Sequence, residues 1–270
     1  MQSYLFYCLT HEGYSIKILS ELLEHCLKQQ TACFEINENG IKLRSVDSNG
    51  KLLIIIDLKV ENFKKYKCSK NFVIGIDTTH FYKILKSIRK KESISLFIEK
   101  DNETKLGLST IYKSMTKKTT SYITIQNVEN LEISQGSDEE YGFPIICASS
   151  DYQKMCKELS IIGTKNIKIK SKFKYIKFIA NNEIFSREVK LGDDDYMSDD
   201  EESAKEYVAN FETSQLTSLM KIASLNTTLT SNIQIYLDID LPLRLKSNIG
   251  NLGTINLYIK SIEQTNSNME

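Results

Sequence analysis

Apolar and polar side chains alternate along much of this chain, a rhythm that puts hydrophobic residues on one face of a pleated strand and polar residues on the other. The segments YLFYCL (4 to 9), GIKLRSV (40 to 46), SISLFIEK (93 to 100), NIKIKSKFKYIKF (166 to 178), NIQIYLDI (232 to 239) and TINLYIK (254 to 260) carry it and are predicted strands. Four segments follow a helical spacing instead, at 14 to 28, 80 to 91, 151 to 160 and 214 to 224. In the second of these, Phe81, Ile84, Leu85 and Ile88 fall on one stripe and Lys83, Lys86 and Lys90 on the opposite one.

The order of elements repeats. YLFYCLTHEGYSIKILSELL (4 to 23) and FPIICASSDYQKMCKELS (143 to 160) each read as a strand, a polar break and an amphipathic helix. FVIGIDTTHFYKILKSI (72 to 88) and YVANFETSQLTSLMKIA (207 to 223) repeat that unit. Helix starts lie 66 residues apart in the first half, 14 to 80, and 63 apart in the second, 151 to 214. Repetition on this scale predicts an α+β chain of two similar β-rich domains in tandem, each with two helices. NVENLEISQGSDEEYG, at 127 to 142, is polar, acidic and aperiodic. It predicts a linker at 127–141 between domains at 1–126 and 142–264, with a polar tail at 265–270.

Composition narrows the class. With 270 residues, 41% of them hydrophobic, the chain can bury a full core. Its longest apolar run, LLIII at 52 to 56, falls far below the roughly 20 residues of a membrane helix, so no membrane partner is expected. No basic-then-apolar leader opens the sequence, which points to an intracellular protein and not a secreted one. Cys8, Cys26, Cys33, Cys68, Cys147 and Cys156 show no CxxC spacing, and His11, His25 and His80 do not join them at ligand intervals. The cysteines therefore read as reduced thiols, most of them core filler. No nucleophile elbow, phosphate-binding glycine loop or zinc signature occurs, so catalytic residues, a cofactor and a metal are not expected.

The formal net charge is zero, but the charges are unevenly placed. The four helical segments hold ten basic residues (Lys17, Lys28, Lys83, Lys86, Arg89, Lys90, Lys91, Lys154, Lys157, Lys221) and four acidic ones (Glu21, Glu24, Asp151, Glu158). The rest of the chain keeps 25 basic and 31 acidic residues. Lys17 with Glu21 and Glu24 with Lys28 pair at i, i+4, whereas the segment 80 to 91 carries five basic residues and no acid. Lys154 and Lys157 point away from the stripe of Tyr152, Met155, Cys156 and Leu159, and Lys221 sits in an uncharged polar face. A basic surface without base-reading side chains suits a polyanion held at its phosphates. Each lysine alone also reads as a solvated helix residue, and the shared sign across helices is what favours the first reading.

Taken in order, GIKLRSVDSNG, FKKYKC, FYKILKSI, YQKMCKELSIIG and DLPLRL with GNLGTINLYI resemble the eukaryotic-type DNA sliding clamps of the proliferating cell nuclear antigen (PCNA) family, from about residue 4 to residue 263. The resemblance implies the DNA clamp fold, three copies closing into a ring of six similar domains, with helices lining the hole and sheets outside. It implies a processivity factor that encircles double-stranded DNA without reading its sequence. It also implies tethering of DNA polymerase, ligase and other peptide-motif partners, and placement on DNA by a clamp loader, in a nucleus or at a viral replication site. Lys17, Lys83, Lys86, Lys90, Lys154, Lys157 and Lys221 would face the DNA.

A partner-peptide groove, between the linker, the loop after the third strand and the C-terminal strands, falls by the same resemblance on Val46, Leu53, Leu131, Ile133, Pro242 and Tyr258, each of which also has a plain reading as core. Ring closure falls on edge strands at about 114 to 122 and 174 to 180, with Tyr122, Lys174 and Lys177 at the subunit interface. Some positions depart from the family pattern: Gly50 and Lys51 at the loop tip, Ser134 where the linker commonly has Pro, the lengthening QGSDEE, and Lys260 to Glu263 in the tail.

Other readings stay open. A specialised clamp relative would act as a monomeric or heteromeric processivity or checkpoint factor, and mass in solution separates it from a ring. A metal-dependent nuclease would draw on the aspartates of DDDYMSDDEE, 193 to 202, a run too polar to fix their geometry. The lysines of 166 to 178 read as solvated or edge-protecting, as a second nucleic-acid stripe, or as neutralised by that acidic run.

Overall fold

The structure, a computed structural model, describes residues 3–28, 30–112, 118–128, 140–172, 175–184, 186–192, 206–226 and 231–267. The chain divides into two compact units. The first comprises Met1–Ile133 with Ser224–Thr228 and Asn248–Ile255, and the second Ser134–Ala223, Leu229–Ser247 and Asn256–Glu270.

The first unit runs β1 (Tyr4–Thr10), α1 (Gly13–Leu27), β2 (Thr31–Asn37), β3 (Gly40–Val46), β4 (Leu52–Lys59), β5 (Lys65–Cys68), β6 (Phe72–Asp77), α2 (Thr78–Leu85), β7 (Glu92–Glu99), β8 (Asn102–Tyr112) and β9 (Lys118–Thr124). Strands β5, β1, β7, β8 and β9 form an antiparallel sheet in that order, while β4, β3, β2 and β6 are successive neighbours in a second. Alternation places Phe6, Ile74, Ile76 and Leu106 inward. With Ile16 and Leu19 of α1 they surround a void of about 30 Å³ in the core. A Cβ on Gly13 would stand 2.5 Å from the Glu92 carbonyl oxygen, so only glycine lets the start of α1 approach the entry to β7 so closely.

The second unit contains β10 (Ile145–Ala148), α3 (Ser149–Ile162), β11 (Asn166–Lys172), β12 (Tyr175–Asn181), β13 (Ser186–Gly192), β14 (Tyr207–Glu212), α4 (Thr213–Ser218), β15 (Asn232–Tyr236), β16 (Leu243–Ile249), β17 (Gly253–Ile259) and α5 (Ile262–Asn266). The end of β16 and the start of β17 belong to the stretch that groups with the first unit. Strands β13, β12, β11 and β14 make an antiparallel sheet in that order, and β10, β15, β16 and β17 are successive neighbours outside it. The strand, helix and strand unit thus recurs, with helix starts 65 residues apart for α1 and α2 (13 to 78) and 64 apart for α3 and α4 (149 to 213).

Three elements differ from the sequence expectation. The helix expected at 80 to 91 is helical only over Thr78–Leu85. Its start is fixed by Asp77, whose side chain accepts from the His80 backbone N–H at 2.7 Å. After Leu85 the chain tightens, with Ile88 N–H donating to the Leu85 carbonyl at 2.9 Å and Arg89 N–H to Glu92 Oε2 at 3.1 Å. Ile88 stays buried, because it keeps the inward stripe in either geometry. The segment 214 to 224 splits into α4 and a 3-10 turn, Leu219–Ser224, and Leu216 on α4 with Leu219 and Ile222 in the turn are buried at the spacing of three that such a turn favours. The stretch 166 to 178 is a hairpin of β11 and β12, not one strand.

These boundaries redraw the helix charges. Within α1 to α4 the basic residues are Lys17, Lys83, Lys154 and Lys157, balanced by Glu21, Glu24, Asp151 and Glu158. The excess positive charge expected on 80 to 91 sits at the end of α2 and in the turn that follows it.

Candidate nucleic-acid and partner surfaces

The seven lysines expected to meet DNA fall into three environments. Lys83 on α2, Lys86 at its C-cap, Lys90 in the following turn, and Lys154 and Lys157 on α3 are exposed. Lys83 and Lys86 sit at the C-terminal end of α2, where cations complement the helix dipole. Lys154 lies 3.9 Å from Glu158, which also stands 3.6 Å from Arg187. Lys17 differs, because it is half-buried and donates to the Ile88 carbonyl at 3.3 Å. The Tyr14 ring has Lys17 Nζ at 5.5 Å and Lys90 Nζ at 5.7 Å from its centre. Lys221 is half-buried in the 3-10 turn after α4.

Beside α2 an open cleft of about 400 Å³ is lined by Asp77, His80, Lys83, Ile84, Tyr122 and Gln126, among others. Burial pushes the Asp77 carboxyl up, but hydrogen bonds from the His80 main chain and ring, with the charges of His80 and Lys83, outweigh it and leave the group below its ordinary range. Tyr122 belongs to β9, the last strand of its sheet, and its other edge meets no strand among the described residues. Its ring packs edge-on against Phe97 at 6.0 Å. Burial, then the Glu99 charge, raises its phenol pKa.

The second expected edge needs correction. Lys177 lies on β12, which is paired with β11 on one side and β13 on the other, so its backbone has no free edge to offer. The outer strand is β13, and Lys177 Nζ reaches across to its Glu188 at 2.9 Å. Lys174 lies outside the described residues.

Of the groove residues, Leu131 and Ile133 also lie outside them, as does the acidic run 193 to 202. In the first unit Val46 and Leu53 face each other across β3 and β4, both half-buried. The loop between them is tied down by Asp47, whose side chain accepts from the Lys51 and Leu52 N–H groups at 2.7 and 2.8 Å. Gly50 there has φ +66°, the left-handed region that explains a glycine at the tip. In the second unit Tyr258 is 8% exposed, and the Pro242 carbonyl accepts from the Tyr141 hydroxyl at 2.8 Å. Sequence reasoning passed over Tyr141, Tyr236, Arg244 and Asn256, which surround these two. Arg244, on a strand of alternating pattern and one of only four arginines in the chain, was the available signal.

Comparison with known proteins bears on both halves of the chain. Residues 10–133 match the family model "Proliferating cell nuclear antigen, N-terminal domain", and residues 136–262 match "Proliferating cell nuclear antigen, C-terminal domain". The chain is 26% identical over 263 residues to "Probable DNA polymerase sliding clamp 1" of Paramecium bursaria Chlorella virus 1, covering 96% of this chain and 97% of that one.

Proposed function

The chain belongs to the proliferating cell nuclear antigen family, and we propose that it works as a DNA sliding clamp, a polymerase processivity factor that holds duplex DNA by enclosing it. The observation that carries this reading is the tandem match of both family domains to two halves that each contain the strand-then-helix unit twice. Three copies close head to tail, the β9 edge of one pairing with the β13 edge of the next, with Tyr122 at the seam. Closure of this kind also removes two edges prone to wrong pairing.

Lys83, Lys86, Lys90, Lys154 and Lys157 then meet phosphates through long flexible side chains. Phosphate contacts carry no base readout, so they exchange from one backbone position to the next and the ring slides. DNA polymerase is the first partner, with ligase and a clamp loader as further ones. Their peptide motifs contact Pro242 and Tyr258 of the second unit. The protein works wherever the DNA is copied, in a nucleus or a viral replication site. Native mass and primer extension on primed circular DNA test the reading together. Three chain masses and longer products with the protein present are expected, whereas a single chain mass with unchanged product length would overturn it.

A further inference from the structure

Arg244 is the largest fully buried side chain among the described residues, with 2% of its surface exposed. It projects from β16 opposite Tyr236 of β15, to which it is directly paired in register. Its Nε and Nη2 both donate to Asn256 Oδ1 on β17, at 3.1 and 2.9 Å. Three tyrosine rings surround the guanidinium, with centres 4.8 Å (Tyr236), 5.5 Å (Tyr258) and 5.6 Å (Tyr141) from Cζ. The rings also touch one another, Tyr141 lying 5.9 Å from Tyr236 and 6.5 Å from Tyr258. Each hydroxyl bond on the rim adds a further tie, Tyr141 to the Pro242 carbonyl at 2.8 Å and Tyr236 to Gln234 at 3.0 Å.

Burying a guanidinium is costly, and an aliphatic side chain of similar volume would fill the same space more cheaply. What an aliphatic side chain cannot do is fix the orientation of rings around it. A planar cation does, because each ring is attracted through its face and the two N–H groups fork onto one acceptor. Two of the groups held this way, Tyr258 and the Pro242 carbonyl, belong to the surface assigned above to partner peptides.

We propose that Arg244 is a positioning residue for that surface: with Asn256 it holds Tyr141, Tyr236 and Tyr258 in the arrangement a partner's hydrophobic and aromatic plug must meet, so that the site is formed before the peptide arrives. The inference rests on the reading of Pro242 and Tyr258 as peptide-contacting residues. Loss of a preformed site lowers apparent affinity by the fraction of molecules still competent, with no peptide contact removed.

The test uses the full chain and a synthetic peptide carrying such a plug, titrated by calorimetry well below the melting temperature of every variant. The protein contains no Trp, so its near-ultraviolet circular dichroism reports chiefly on its tyrosines. Arg244→Met should lower the tyrosine signal and weaken the peptide by about tenfold or more, as central interface positions do. The double variant Arg244→Leu with Asn256→Leu removes charge and acceptor together and keeps the site packed, which guards against simple unfolding. It should melt at or above the wild-type temperature and still bind weakly. Asn256→Asp keeps a planar acceptor for the guanidinium and should bind within about threefold of wild type. Wild-type affinity in a folded Arg244→Met or double variant overturns the inference while leaving the peptide site standing. A wild-type protein that does not bind the probe overturns the peptide site and the inference with it.

Discussion

At the scale of single residues, two charged side chains separate structural from functional roles. Asp77 caps α2, accepting from the His80 N–H, and its carboxyl is held below the ordinary value of 3.8. A depressed folded-state pKa gives stability that is complete above the unfolded value and is lost as pH falls through the folded one. Asp77→Asn keeps the cap and removes the titration. Thermal melts from pH 7 downward should therefore match wild type least near neutrality and converge with it once acid has protonated the carboxyl in the folded protein. Asp77→Ala removes the cap as well and should cost about 1 kcal/mol at neutral pH. Lys17 stands apart from the other DNA-facing candidates, because it donates to the Ile88 carbonyl and flanks Tyr14. Lys17→Glu should lower the melting temperature measurably, whereas Lys83→Glu should leave the stability within about 0.5 kcal/mol of wild type. Equal melting of the two would show that the Lys17 contact contributes nothing.

Among the elements, the sheet β13-β12-β11-β14 carries an unusual register. Lys170, Lys177 and Lys190 stand directly opposite one another on three adjacent strands, on the face away from buried Ile169, Ile176 and Phe178. Like charges placed directly opposite oppose pairing, and Glu188 meets Lys177 in the middle of the row at 2.9 Å. Lys170→Glu should stabilise the protein by about 0.5 kcal/mol in denaturant unfolding and reduce the gain in stability that wild type shows on adding salt. The same strands show where a sequence can mislead. Lysines recur at every second position from Lys168 to Lys174 and the phase slips only at Tyr175 and Ile176, so that slip is the one trace the turn between β11 and β12 left in the pattern. The stripe of Phe81, Leu85 and Ile88 likewise survives the change from helix to turn, which hid the end of α2. The repeated strand and helix units were legible because their period changes twice in the same order in each half. The tyrosine cage was not, since Tyr141, outside any strand, joins Tyr236, Arg244 and Tyr258 of β15, β16 and β17 from far earlier in the sequence, and a lone arginine in an alternating strand does not announce that it points inward.

For the whole molecule, the clamp reading makes holding DNA a property of a closed ring and not of affinity. The free protein should bind duplex weakly, without preference for sequence, and lose that binding steeply as salt rises, because each phosphate contact releases counterions. Once closed on a circular duplex it should stay bound at salt concentrations that abolish binding by the free protein, and leave when the circle is cut and can run out through the hole. A proline in β9 or β13 at a position whose N–H points away from its paired strand removes no bond within the chain but blocks pairing across the seam. Such a variant should keep the wild-type melting temperature, fall from three chain masses to one, and lose retention on circles while its weak binding to short duplexes is unchanged. Charge reversal of Lys83, Lys86 and Lys154 should do the converse, leaving the mass at three chains and removing the salt-sensitive binding. If the proline variant still held circular DNA at high salt, retention would come from affinity and the topological account would fail. If the charge-reversed protein lost its mass as well, those lysines would belong to the assembly and not to the DNA.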